Sequence, residues 1–345
     1  MKYILPFTIW FLCLKANAQP AEKKISLEAG SLSNKKISGE ISGIDILQTG
    51  ANNTTLGYIA ARTGNETFRL TPESQNTSWL NTLVTQRYNR PGGKPLTWVV
   101  RSVSMTTDSS GQYYFTHVKA DVLRKGEANA YQKLMSVDTV LSGRLTNNNS
   151  FATGITEVLD ALYLASAKRV DARKKNTEQT VEAAALETVK QPALAVITDN
   201  TVTPGAYATF EEFAKNTPSV TEAVWAEPDA ELGNGRVKLF LMKKDSSIHQ
   251  LTAIWGICFG GNELYKFENG QLIPIERSGN SFILSRYQEP ALRKNQAMYW
   301  RRIAVKSWDG DTNPFDRRHA VVINNNQPRQ PLATCIDMAT GELAF

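Results

Sequence analysis

Three apolar-alternating runs in quick succession, followed by one long apolar stripe at helical spacing, constrain this chain more than any other feature. Leu96 to Met105 alternates through Trp98, Val100 and Val103. Gln112 to Leu123 carries Tyr113, Phe115, Val118 and Val122, and Tyr131 to Leu141 carries Leu134, Val137 and Val140. Only Asp108-Ser109-Ser110-Gly111 and Lys125-Gly126-Glu127 separate these runs, which is the spacing of an antiparallel meander. Between Phe151 and Val170, the residues Phe151, Ile155, Val158, Leu159 and Leu162 recur three and four apart, the stripe of a helix that packs on a sheet. Upstream, strands are expected at Gly39 to Leu47, where the alternation slips once, and at Tyr58 to Ala61. A helix is expected from Ser78 through Trp79, Leu80, Leu83 and Val84 to the turn at Asn89 to Pro95. Residues 19–170 therefore read as a two-layer α+β unit of sheet and helices.

The composition then changes. Residues 171–203 read as a polar linker ending in a short strand at Leu194 to Ile197. Thr209 followed by Glu212 forms a capping box, so a short helix should begin at Phe210 with Phe210 and Phe213 on one face. Asn216 suits the left-handed C-terminal position and Pro218 stops continuation. Beyond it the chain is strand and turn: Arg236 to Lys243, His249 to Ile257, Glu263 to Phe267, Gln271 to Glu276 and Ser281 to Leu284, with Asn269-Gly270 as a hairpin turn. Two further strands, or a strand and a helix, are expected at Ala297 to Lys306 and Arg318 to Ile323. The expected fold is α+β, with an N-terminal sheet-plus-helices domain (19–170) and a mostly antiparallel β domain (204–345).

Residues 1–18 carry one early lysine, an apolar run from Tyr3 to Leu14, and Ala16 and Ala18 at the positions a signal peptidase reads. The mature chain is expected to begin at Gln19, exported to a periplasmic or extracellular space. Cys13 follows Leu12 rather than a small residue, which argues against lipidation. The leader run is too short to span a bilayer, and no later stretch is apolar enough, so the mature chain should carry no transmembrane segment. Loss of Lys2 and Lys15 leaves 37 basic against 33 acidic side chains, too mild an excess for nucleic-acid binding. The cluster Arg293-Lys294, Arg301-Arg302 and Arg317-Arg318 reads as a solvated face rather than an anion site. Cys258 and Cys335 remain after cleavage, either as a disulfide or as two unreacted thiols.

Gly205-Ala206-Tyr207 leading into Thr209-Phe210-Glu211-Glu212-Phe213 and Asn216-Thr217-Pro218-Ser219, then Trp255-Gly256-Ile257-Cys258-Phe259-Gly260-Gly261 and Leu264-Tyr265, resembles a group of uncharacterised exported proteins of Bacteroidetes-type bacteria. That resemblance spans residues 204–290 and implies no activity. The order of elements in the first domain is similar to that of auxiliary lipoproteins of bacterial lipid-transport systems, a likeness of topology alone.

Reactive constellations are sparse. The histidines are His117, His249 and His319, none beside a nucleophile elbow and no two at zinc-ligand spacing. The turn Asp309 to Asp316 offers alternate oxygen ligands, but Pro314 stands where a calcium loop needs glycine. No phosphate-cradling loop occurs, so no cofactor is expected. Aromatic residues carry the remaining signal: Trp225, Trp255, Trp300 and Trp308, with Tyr265, Tyr287 and Tyr299, crowd the second domain. Trp308, Trp300 and Tyr299, with Asp309 and Asp311, are the expected ligand-binding residues, because flat rings beside a polar turn can hold a sugar or a peptide. The expected function is a non-enzymatic envelope component that binds or assembles with an envelope protein or a glycan. The alternatives are a carbohydrate-binding module, or a glycan hydrolase using two carboxylates among Glu263, Glu276, Asp309 and Asp311.

Overall fold

The structure, a computed structural model, describes residues 21–27, 41–48, 55–60, 67–74, 78–89, 94–108, 110–126, 130–147, 149–171, 180–182, 194–231, 236–260, 263–278, 281–284, 333–338 and 340–344. The protein is mixed α/β, with mostly strands and few helices in the described residues.

The meander forms as its alternation requires. Strands β1 (Ala21–Ile25), β2 (Ile41–Gln48), β3 (Gly57–Ala60), β4 (Thr67–Pro72), β5 (Lys94–Thr107), β6 (Tyr113–Lys125), β7 (Ala130–Arg144) and β8 (Thr180–Glu182) make one eight-stranded sheet. Its order is β1-β4-β3-β5-β6-β7-β8, with β2 also on β5. The β5–β6–β7–β8 part is antiparallel, whereas β1–β4, β2–β5 and β3–β5 run parallel. The sheet is thus mixed rather than a pure meander. β2 shifts register between Ile41 and Gly43, the physical cause of its slipped alternation. β8 lies inside the segment read as linker.

Helices α1 (Trp79–Tyr88) and α2 (Asn149–Asp171) cover one face. Their stripes, Leu80, Leu83, Val84 and Tyr88 with Phe151, Ile155, Val158, Leu159 and Leu162, close a core over Trp98, Val100, Val118, Ala120, Val122 and Val137. The two helices are clamped together: Asp160 accepts from Arg87 Nε (2.7 Å), Arg87 Nη2 (2.6 Å) and Tyr88 Oη (2.6 Å), and the Tyr88 ring stacks on Tyr163 at 4.8 Å. Gly154 lets α2 approach the sheet, since a Cβ there would stand 2.5 Å from the Tyr114 ring and 2.7 Å from Thr116 Oγ1.

A second apolar core lies against the other face, where Phe115 and Val140 of β6 and β7 join it. It is built around α4 (Phe210–Ala214), which follows a single helical turn, α3 (Ala195–Thr198), and strand β9 (Gly205–Tyr207). The cap forms at Thr209, whose Oγ1 accepts from Glu212 N at 3.2 Å. The returning carboxylate takes Ala208 N (2.7 Å) instead of the amide of Thr209. Phe213 stacks on Trp255 (4.3 Å) and meets Tyr207 and Phe282 edge-on. Asn216 adopts φ 56° as its position requires, but its side chain does more. Oδ1 accepts from Thr203 N and Tyr207 Oη, and Nδ2 donates to Asp199 Oδ2 and Thr201 O, fixing residues 199–203 on the helix.

The strand expected at Leu194 to Ile197 is α3. Leu194 O accepts from Ile197 N (2.8 Å) and Thr198 N (3.0 Å), and Arg277 Nη2 donates to Val196 O and to Asp199 O. Tertiary partners thereby override the β-propensity of Val196, Ile197 and Thr198.

Strands β10 (Val224–Pro228), β11 (Val237–Met242) and β12 (Ile248–Leu251) form an antiparallel three-stranded sheet. β13 (Gly256–Cys258), β14 (Leu264–Glu268), β15 (Gln271–Ser278), β16 (Ser281–Leu284), β17 (Cys335–Ile336) and β18 (Leu343–Ala344) form a seven-stranded antiparallel sheet with β9. The single strand expected over His249 to Ile257 is divided between the two sheets, because Trp255 turns inward and its amide bonds Tyr207 O (2.7 Å). Asn269 (φ 49°) and Gly270 (φ 79°) make the β14–β15 turn as expected. The turn between β17 and β18 seats on α4: Gly341, at φ 73°, packs against the Phe210 ring, and its carbonyl accepts from Trp255 Nε1 at 2.8 Å.

Candidate functional site

The expected ligand residues Trp308, Trp300, Tyr299, Asp309 and Asp311 lie outside the described residues, as do the arginine cluster, the leader and the strands expected at 297–306 and 318–323. Trp255 is core, 8% exposed, which removes it from any ligand surface. Cys258 and Cys335 are free thiols, so the disulfide is not formed. Cys258 on β13 faces Gly205 and Leu264, whereas Cys335 on β17 faces Ile283 and Ala344, with three strands between them in the sheet. Burial pushes the Cys258 thiol up and the Cys335 thiol up to about 12; Cys258 is buried and Cys335 half-buried. Glu263 and Glu276 flank the Leu264–Ile275 pair on adjacent strands, Glu263 exposed and Glu276 half-buried.

Two surfaces carry chemistry. The first is a polar strip on the face of the large sheet away from the helices. His117 Nε2 lies 2.8 Å from Asp138 Oδ1, and Ser104 stands opposite His117 in the β5–β6 ladder. Ser104 and His117 share a row, and His117 reaches diagonally to Asp138, which stands opposite Lys119 in the β6–β7 ladder. All three sit on the flat of a paired sheet, where backbone amides serve the ladders. Beside them, Asp121 accepts from Arg101 (2.7 Å), Lys133 (2.8 Å) and Ser136. Burial opposes its charge, but the hydrogen bonds from Lys133, Ser136 and Arg101 outweigh it and hold the carboxyl below its ordinary range. Lys119 lies between Asp138 (3.9 Å) and Asp337 (4.0 Å), tying the β17–β18 turn to the large sheet. These are interlocking ion pairs that fix the sheet's second face.

The second surface is the open face of the β10–β11–β12 sheet. Register places Trp225, Phe240 and Gln250 in one row, Glu227 beside Lys238 in the next, and Met242 beside Ile248 on the other side. The Trp225 and Phe240 rings lie 5.8 Å apart with planes 27° from parallel. Trp225 Nε1 donates to Glu227 Oε1 at 2.9 Å, which sets the indole's orientation. Both rings are half-exposed, Met242 is 46% exposed and Ile248 61%. Leu239 and Leu241 occupy the opposite, buried face of β11. A strand with apolar residues on both faces, one of them open, is the signal that sequence reading passed over: Phe240 and Met242 alternate with Leu239 and Leu241. Exposed apolar groups gathered on one sheet face mark binding sites more often than isolated ones do. Lys238 pairs with Asp229 (3.4 Å) and Glu231 (3.5 Å), so carboxylates outnumber the ammonium at the aromatic end.

No protein-family model matches the chain, and no curated protein matches it. Among solved structures, protein XCC0632 from Xanthomonas campestris, of family model DUF330, is similar at 11% identity with a TM-score of 0.29, over 44% of this chain and 96% of that one. A likeness that weak carries no argument. No group of three or more metal-ligating side chains occurs among the described residues. No helix among them is long and apolar enough to cross a membrane.

Proposed function

We propose that the chain is an exported component of the cell envelope that binds or assembles with another envelope constituent and is not itself an enzyme. The observation that carries this reading is the open sheet face presenting Trp225, Phe240, Met242 and Ile248, opposite the buried Leu239 and Leu241 of β11. Met242 and Ile248, 46% and 61% exposed, forfeit about half of the ~1.5–3 kcal/mol that full burial of each would contribute, and a binding partner removes that cost. The leader-like residues 1–18 support export.

The test is retention. Mature chain beginning at Gln19 is immobilised and exposed to fractionated envelope material with and without calcium, beside a Met242→Glu/Ile248→Glu variant, and retained species are identified by mass spectrometry. Retention by the parent chain but not by the variant supports the reading. Equal retention by both removes this face from consideration. The second reading, a glycan hydrolase, draws on the flanking positions of Glu263 and Glu276. Chemical change in a retained glycan, abolished by Glu276→Gln, would replace the first reading with it.

A further inference from the structure

The end of the chain, residues 333–344, lies on the second core as a strap. Backbone ties hold it lightly: among the described residues β17 joins β16 at the Ile283–Cys335 pair and through Leu284 N, which donates to Thr334 O (2.9 Å), and β18 pairs with β17 alone. Its seat holds it more firmly. Ala333 and Ile336 are buried, the Gly341 carbonyl accepts from Trp255 Nε1, and Asp337 stands 4.0 Å from Lys119 of the large sheet. The seat admits glycine at one point, since Gly341 sits at φ 73° and a Cβ there would stand 2.2 Å from Phe210 Cγ. An empty seat is costly, because lifting the strap uncovers Phe210, Phe213 and Trp255 together with its own Ile336. The segment that fits is therefore known, and every copy of the chain carries it. Residues 285–332 connect the strap to β16. At up to ~3.3 Å per residue, a connection of that length does not confine the strap to its own copy. We propose that the strap is an exchangeable segment: residues 333–344 of one copy take the same seat on a second copy, whose own strap crosses in return. The exchange conserves every contact of the seat, so chain concentration competes only with the effective concentration of the tethered strap. This goes beyond the binding reading above and does not rest on it.

Ile283→Cys places a thiol opposite Cys335 across the β16–β17 ladder, so oxidation records the copy on which each strap is seated. The full mature chain carrying this change is refolded and oxidised both dilute and a hundredfold more concentrated, then run on non-reducing gels beside the parent chain. A disulfide-linked dimer is expected that rises severalfold with concentration and is absent from the parent. Disulfides confined to single chains at every concentration overturn the proposal. Where the variant does not fold or does not oxidise, the parent decides. Refolded at the higher concentration, it should give a dimer by light scattering that an excess of synthetic peptide of residues 331–345 suppresses, while the same peptide carrying Gly341→Ala leaves the dimer intact. A parent chain that stays monomeric, or a dimer that the unaltered peptide does not reduce, overturns the exchange equally.

Discussion

The two cores of this protein are built on different economies. Beneath α1 and α2, long strands and two stripes supply a wide layer of aliphatic and aromatic side chains spread over many positions. The second core gathers short strands around a five-residue helix, and Phe213, Trp255, Asn216 and Gly341 each hold several elements at once. The contrast teaches that long regular elements spread stability over many contacts, whereas short ones concentrate it in a few residues with special geometry.

Removing the central ring should break the second core hardest. Phe213→Ala is expected to cost about 3–5 kcal/mol. Native-state hydrogen exchange should show the seven-stranded sheet opening while the amides of β6 and α2 stay protected; equal loss in both would mean that the two cores are one cooperative unit. Next comes Asn216, where backbone and side-chain roles separate. Asn216→Gly keeps the left-handed backbone but loses the four side-chain bonds, so denaturant melts should show a loss of about 2–4 kcal/mol. Asn216→Ala adds backbone strain of about 1–2 kcal/mol to that. If the glycine variant were as stable as the parent, the side-chain bonds would contribute nothing.

In the first core the sharpest lesion is an addition. Gly154→Ala should destabilise by about 1–3 kcal/mol through overpacking against Tyr114. A Tyr114→Phe partner should not relieve it, because the contact is with the ring carbons. Loss of the cap in Thr209→Ala should cost only about 1 kcal/mol. The smallest effect is electrostatic. Asp121 is held below its ordinary range, so its ion pairs stabilise the fold above the unfolded-state value near 3.9, and that contribution is lost as the pH falls through the lower folded value. Asp121→Asn should therefore flatten the acid limb of a stability profile below about pH 4 and lower stability at neutral pH.

The same contrast decides what was legible. The stripes at 151–162 and the alternation at 96–141 announce the helix-backed sheet, because each pattern repeats over many residues. The capped helix and the Asn-Gly turn were legible because their ends have chemical signatures. β1 and β4 were not: parallel pairing of Ala21–Ile25 with Thr67–Pro72 joins segments far apart in the chain, and the run Ala-Glu-Lys-Lys-Ile carries no alternation. Asn216 announced its backbone but not its four partners, which come from a loop that has no pattern of its own. The open face has a faint signature in the sequence, confined to β11, where Phe240 and Met242 alternate with Leu239 and Leu241 and leave both faces apolar.

The contact of Gly341 with Phe210 and Trp255 also sets an order in time. Trp255 and its carbonyl partner are 86 residues apart, and Ala333 and Ile336 complete the same core. A ribosome delivers the helix-backed sheet whole before any of these residues exists, so that layer can close while α4 and Trp255 still lack their last partners. Until residue 341 emerges, the aromatic cluster stays incomplete. Contacts of such long range close slowly, so the second core is expected to finish folding after the helix-backed sheet.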